Sequence, residues 1–236
     1  SHIGILGSKE NITYAKCEIT KYLNPKGVVI IPANDLFLER TLKKNWNGRV
    51  LKVELLEIHE NGKSKKDNLY GFFNRSNNSI LIEDKVFEIS FKGFHNAYNF
   101  MFVYAVAKEF GIEFEDFNKF NFASLDGRNK IIKSKKTTIY DETYNASPES
   151  VKACIENLLD NPKNHFLIFG SIQELGDKSK NYHKDLFQFI IKSDIKKCIF
   201  ICDRSEEIYY SDYLKESGKF LFFNEIDRVG KTLNKY

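Results

Sequence analysis

The sequence predicts an α/β fold in two parts, the second built on a mostly parallel sheet. Three observations carry that prediction. From Thr137 onward, short apolar runs alternate with segments of helical period. Between residues 49 and 91, strand-like runs are separated by turns rich in Asn and Gly. The strongly apolar segment Asn96 to Phe110, closed by Gly111, has helical length and stands between these two regions.

In order, residues 8–23 read as a helix that starts near Ser8 or Asn11 and stops at Asn24-Pro25-Lys26-Gly27. Val28 to Ile31 is a buried strand, and Leu36 to Lys44 carries apolar residues at helical spacing. Arg49 to Ile58, Leu69 to Asn74, Ser79 to Glu83 and Val86 to Phe91 are strands, expected to be antiparallel, with Asn61-Gly62 as a hairpin turn. Phe114 to Phe122 is short, polar and aromatic, and a domain boundary is expected there, dividing the chain into residues 1–124 and 125–236. Thr137–Tyr140, His165–Gly170, Lys197–Cys202 and Phe220–Phe223 are the strands of the expected parallel sheet. Helices over 148–160, 180–193, 205–216 and from Asn224 connect or follow them. Ser147 suits an N-cap and Pro148 the first helical position. Three loops then fall at carboxyl ends of strands, Asp141–Ser147, Ser171–Gly176 and Asp203–Ser205, where parallel sheets place ligands.

Composition excludes several classes. With 236 residues, 42% hydrophobic and 14% aromatic, the chain can bury a core. Thirty-six basic against 32 acidic residues leave a net charge of +4, too mild to argue for nucleic acid. No apolar run reaches membrane-spanning length, and no secretory signal is visible. The four cysteines lack zinc-site spacing and read as reduced thiols of a cytoplasmic protein. The opening Ser1-His2 is what a piece of a longer protein would show.

Residue by residue, the chemistry is weak. Gly62-Lys63-Ser64 lacks the upstream Gly of a phosphate-binding loop, since residue 57 is Glu. Lys130, Lys133, Lys135 and Lys136 read as a basic strand edge that discourages pairing. Asp141 and Glu142 on their own solvate a loop. Asn96 and Asn99 lie one helical turn apart, so both amides can face one side; a cap plus one polar position explains them equally. Nothing physical in the sequence alone distinguishes His2 or Lys16.

Taken together, however, Ser1-His2-Ile3-Gly4, Leu6-Gly7-Ser8 and Ala15-Lys16-Cys17-Glu18-Ile19 resemble successive stretches of the Mur ligase family. Pro32-Ala33-Asn34-Asp35, His95-Asn96-Ala97-Tyr98-Asn99, Gly127-Arg128, Asp141 to Pro148 and Glu174-Leu175-Gly176 continue the series. They follow the family's order and spacing over essentially the whole chain. The Tyr144-Asn145-Ala146 block followed by Glu174-Leu175-Gly176 is most similar to the branch that adds D-alanyl-D-alanine to UDP-N-acetylmuramoyl-tripeptide. The resemblance implies the trailing part of a central ATP-binding domain, then a Rossmann-like C-terminal domain. It implies an ATP-dependent carboxylate–amine ligase, forming an acyl phosphate, in peptidoglycan precursor synthesis and hence cell-wall biogenesis. ATP and magnesium would be its cofactors. Such an enzyme is expected to act as a monomer, with neither nucleic acid nor membrane as partner.

The resemblance also implies roles. His2 corresponds to a magnesium-binding His. Lys16 corresponds to a catalytic lysine that many members carbamylate, which turns an ammonium into a carboxylate-like metal neighbour. Asn96, Asn99, Arg128 and Glu142 would bind the nucleotide, with Arg128 and Glu142 acting as a pair. Asn145, Ser147 and Glu174 would meet the substrates. Ser171 and Asn34 stand where the family often has Asp. The family's phosphate-binding loop and a second metal-binding Glu lie upstream of its magnesium His, so this chain alone is expected neither to hydrolyse ATP nor to ligate. The alternative is a non-catalytic α/β module that binds nucleotide or a partner.

Overall fold

The computed structural model describes residues 3–58, 68–112, 126–128, 130–134, 137–159 and 164–233. Two compact units result, residues 8–141 and residues 1–7 together with 142–236. The expected boundary near 124 falls on residues outside the described ones. Among the described residues no helix is long and apolar enough to cross a membrane.

The described residues open on one helical turn, α1 (Ile3–Leu6), which groups with the later unit. The unit 8–141 then opens on α2 (Lys9–Cys17), capped by the Ser8 hydroxyl, which accepts the Asn11 N–H at 3.1 Å. A 3-10 turn, Glu18–Tyr22, replaces the rest of the long helix expected there. There follow β1 (Val28–Pro32), α3 (Leu36–Asn45), β2 (Arg49–Glu57), β3 (Asn68–Asn74), β4 (Ser79–Ile82), β5 (Lys85–Glu88) and α4 (Phe94–Glu109). The five strands form one sheet in sequential order.

Its pairing corrects the antiparallel expectation. β1–β2 and β2–β3 are parallel, and only β3–β4 and β4–β5 are antiparallel. Lys52 stands opposite Asn68 in a parallel register, so β2 and β3 are not the two arms of a hairpin; the expected turn at Asn61-Gly62 lies outside the described residues. A two-residue turn reverses the chain and can join only antiparallel strands. The core comprises Val53, Phe73, Ile80 and Ile82 of the sheet against Ala97, Met101 and Tyr104 of α4, spaced i, i+4, i+7. Gly71 makes room for that helix, because a Cβ there would lie 2.3 Å from the Met101 sulfur.

A half-buried ion-pair cluster ties α3 to this sheet. Glu39 receives Lys43 and Lys52, each at 2.7 Å. The hydrogen bond from Lys43, then that from Lys52, hold its carboxyl down to about 2, below the ordinary 4.5. A lowered folded value means the ionised form stabilises the fold above that ordinary value and loses this contribution as pH falls toward 2. Glu39→Gln should therefore flatten the acid limb of stability: urea midpoints measured from pH 5 down to pH 2 should fall less steeply than in the parent. Parallel curves would remove Glu39 from the acid response.

The unit ends in a hairpin, β6 (Lys130–Lys133) antiparallel to β7 (Thr138–Asp141). Here too expectation is corrected. The basic strand does pair, and β7 pairs with it instead of joining the parallel sheet. The connection is short, and the Ser134 N–H donates to the Thr137 carbonyl at 2.8 Å, so the nearest partner along the chain wins.

The second unit continues with α5 (Pro148–Leu159), β8 (His165–Gly170), α6 (Ser179–Lys192), β9 (Ile195–Ile201), α7 (Arg204–Leu214), β10 (Phe220–Phe223) and α8 (Ile226–Leu233). Its sheet is parallel, in the order β10-β9-β8. The α/β class and the parallel sheet agree with the sequence prediction, with three strands in that sheet among the described residues rather than the four expected. Phe187 and Phe200 lie at its centre, both fully buried and stacked edge to face at 5.1 Å. The cysteines are unbridged, and burial pushes the Cys202 thiol up to about 12 and Cys198 higher still.

Candidate functional site

In the unit 8–141, α2 places Lys16 in its last turn, exposed to solvent. His2 lies outside the described residues. α4 starts at Phe94 after Gly93, whose φ of 101 suits glycine. Asn96 and Asn99 therefore sit in its first two turns, as expected. The Asn96 side-chain amide donates to the Lys92 carbonyl at 2.8 Å, which fixes it against the preceding loop. Asn99 is exposed. Between them, the Tyr98 hydroxyl donates to the Val53 carbonyl at 3.4 Å; burial and then the nearby Glu54 carboxylate push its pKa up. Beside it, burial lowers the His95 pKa.

An anchor that the sequence reading missed holds the loop before α4. Asn78, at φ 53, donates to the Phe91 carbonyl at 3.2 Å and also to that of Ile89, and its side-chain oxygen accepts the Gly93 N–H at 3.2 Å. Asn tolerates this left-handed backbone better than most residues, which is the one hint the sequence held. Arg128 is exposed, in the turn that follows Gly127.

In the second unit, Glu142 is half-buried just past β7. Burial first, then the Glu142 charge, raise the thiol of Cys154, in the middle of α5, to about 11. Asn145 is exposed. Ser147 caps α5 as the sequence predicts: its hydroxyl oxygen accepts the Ser150 N–H at 3.1 Å, and the Ser150 hydroxyl oxygen accepts the Ser147 N–H at 2.8 Å.

The loop 171–176 leaves the carboxyl end of β8 and is held from several sides. The Ser171 N–H donates to the Ile201 carbonyl at 3.0 Å, and its hydroxyl donates to Glu206 of α7. The Ile172 N–H donates to His183 Nε2 at 3.0 Å. The Gly4 N–H of α1 donates to the Glu174 carbonyl at 2.9 Å. Asp203, from the third predicted loop, caps α7 by accepting the Glu206 N–H at 2.8 Å, and that bond lowers its pKa.

Gly4 belongs to this packing. A Cβ there would stand 3.1 Å from both the Glu174 carbonyl carbon and the Gly176 nitrogen, main-chain atoms with little room to retreat. Gly4→Ala should displace the loop and cost about 1–3 kcal/mol of stability, read from urea unfolding. A variant as stable as the parent would mean that α1 does not rest on this loop.

Two family models match the chain, the Mur ligase middle domain over residues 1–107 and the Mur ligase glutamate ligase domain over residues 127–221. The chain belongs to the Mur ligase family. Among curated relatives, the UDP-N-acetylmuramoyl-tripeptide--D-alanyl-D-alanine ligase of Rickettsia prowazekii is 28% identical over 239 residues, covering 97% of this chain and 52% of the relative. The ligase of the same name from Bacillus subtilis is 30% identical over 194 residues, 78% of this chain and 40% of the relative. That of Synechocystis is 27% identical over 187 residues, 78% of this chain and 39% of the relative. The chain thus spans about half, or less, of the length of these relatives.

Solved Mur ligase structures share the fold. A MurF structure from Acinetobacter baumannii superposes with a TM-score of 0.80 at 23% identity, over 100% of this chain and 51% of the other. MurF from Thermotoga maritima, in complex with ADP, gives 0.67 at 21%, over 94% and 55%. Both Mur ligase domains named by the sequence resemblance are therefore present, in the predicted order.

Proposed function

We propose that this chain is part of an ATP-dependent carboxylate–amine ligase that adds D-alanyl-D-alanine to UDP-N-acetylmuramoyl-tripeptide. The observation that carries this reading is that both parts of the chain match relatives whose name states that reaction. A structural neighbour in complex with ADP supports a nucleotide as cosubstrate. In such a ligase the substrate carboxylate takes the ATP γ-phosphoryl group, releasing ADP. The incoming amine then attacks the acyl phosphate, loses a proton and expels phosphate. The work belongs to peptidoglycan precursor synthesis, in the cytoplasm, by a monomer.

In this reading Asn96 and Asn99 face the adenine, since an amide offers both a donor and an acceptor. Arg128 presents a fork of donors to the nucleotide, and Glu142 accepts its ribose hydroxyls. Asn145, Ser147 and Glu174 meet the peptide substrates. Magnesium fits less well. Among the described residues no group of three His, Cys, Asp or Glu side chains could hold a metal ion, and Lys16 as an amine brings no oxygen ligand. Lys16 would join a metal site with His2 only as a carbamate, and no step here is routed through the metal.

The test has two arms. Titrating ADP into the isotope-labelled chain should shift the amide signals of residues 94–99, and Asn99→Ala should weaken binding. The complete enzyme should release phosphate in proportion to added D-alanyl-D-alanine. ADP binding without amine-dependent phosphate release would instead favour a nucleotide-binding module.

A further inference from the structure

The turn that carries Glu174 is strained. Glu174 has φ 61, which a glutamate rarely adopts, and Gly176 repeats it at φ 61. Such a backbone persists only where its surroundings over-determine it. Leu175 and Ile172 are buried on either side of Glu174, which leaves Glu174 itself exposed at the strand end.

His183 stands behind this turn and is 1% exposed. Its Nδ1 lies 2.9 Å from the Ser179 carbonyl and 3.3 Å from the Ser179 hydroxyl. A carbonyl only accepts, so Nδ1 carries the proton. Nε2 is then bare and accepts the Ile172 N–H at 3.0 Å. The ring is packed among Phe187, Phe200 and Tyr210, with centroids 6.1, 5.7 and 5.9 Å away, so it cannot swing aside. A buried imidazole thus links the first turn of α6 to the loop leaving β8, with each nitrogen assigned one task.

We propose that His183, in its Nδ1–H tautomer, is the positioning residue for the loop 171–176 and presents Glu174 to substrate. The loop's substrate role rests on the ligase reading above; its positioning by His183 does not. The bond to Ile172 satisfies a main-chain donor that is otherwise buried, two residues before the strained position.

The experiment is amide hydrogen exchange by NMR on this chain with two variants. A glutamine places its side-chain oxygen near the site of Nε2, so His183→Gln keeps the acceptor for Ile172 and loses the link to Ser179. An asparagine reaches only the site of Nδ1, so His183→Asn keeps Ser179 and loses Ile172. Exchange at Ile172 through Gly176 should rise at least about tenfold in His183→Asn and stay within about threefold of the parent in His183→Gln. The Phe187 and Phe200 amides should be unchanged in both. Equal effects of the two variants, or loop exchange that merely tracks Phe187 and Phe200, would reduce His183 to core packing. In the unmodified chain, imidazole nitrogen signals showing the proton on Nε2 would overturn the assignment even if both variants fail to fold. None of these readouts needs nucleotide or substrate, so failure of the ligase reading leaves them intact.

Discussion

Phe200→Ala is expected to cost about 3–5 kcal/mol and to unfold the unit built on residues 142–233 under conditions where the parent is stable. Phe200 is fully buried on the central strand of its sheet. Its ring meets Phe169 at 4.9 Å, Phe187 at 5.1 Å, Tyr210 at 6.1 Å and Phe222 at 6.2 Å. Truncation removes transfer energy and leaves a cavity walled by rigid rings, which cannot readily collapse to fill it. Ile208→Ala, at a position 62% exposed on α7, should change stability by only about 0.5 kcal/mol. Thermal and urea unfolding of both variants check this. A Phe200 variant within about 1 kcal/mol of the parent would mean that this aromatic cluster is not the core.

Glu142→Ala in the complete ligase should lower kcat/KM for ATP at least about tenfold, near 1.4 kcal/mol of transition-state stabilisation. The carboxylate is half-buried just past β7, and its charge helps to raise the Cys154 thiol. A carboxylate has two oxygens, so it can accept two vicinal hydroxyls, and partial burial leaves it less freedom to lose on binding. Glu142→Gln retains only one strong acceptor and should fall between parent and alanine. Unchanged kinetics with a slightly lower melting temperature would return Glu142 to the role of loop solvation. Steady-state kinetics with ATP varied at saturating peptide substrates separates the outcomes.

The sequence by itself determined the features that depend on a few neighbouring residues. Ser147 before Pro148 marks the start of α5, and Ser8 marks that of α2, because a cap bond spans three residues. His165–Gly170 and Phe220–Phe223 are strands as read, since their apolar runs are short and bounded by turns. The Mur ligase resemblance was likewise legible, as it rests on the order of short motifs.

Only the tertiary structure decided which strands pair. β2 and β3 are parallel although an Asn-Gly pair lies between them, and β7 joins β6 although the pattern also suited a parallel sheet. Apolar runs of similar length are interchangeable as partners in a one-dimensional pattern; connection length and the packing of α4 choose between them. His183 and Asn78 escaped notice for the same reason. A histidine on an apolar helix face and an asparagine in a turn are ordinary in sequence. What singles them out is the main-chain groups they satisfy, 11 residues away at Ile172 and 15 at Gly93, and those distances close only when the chain folds.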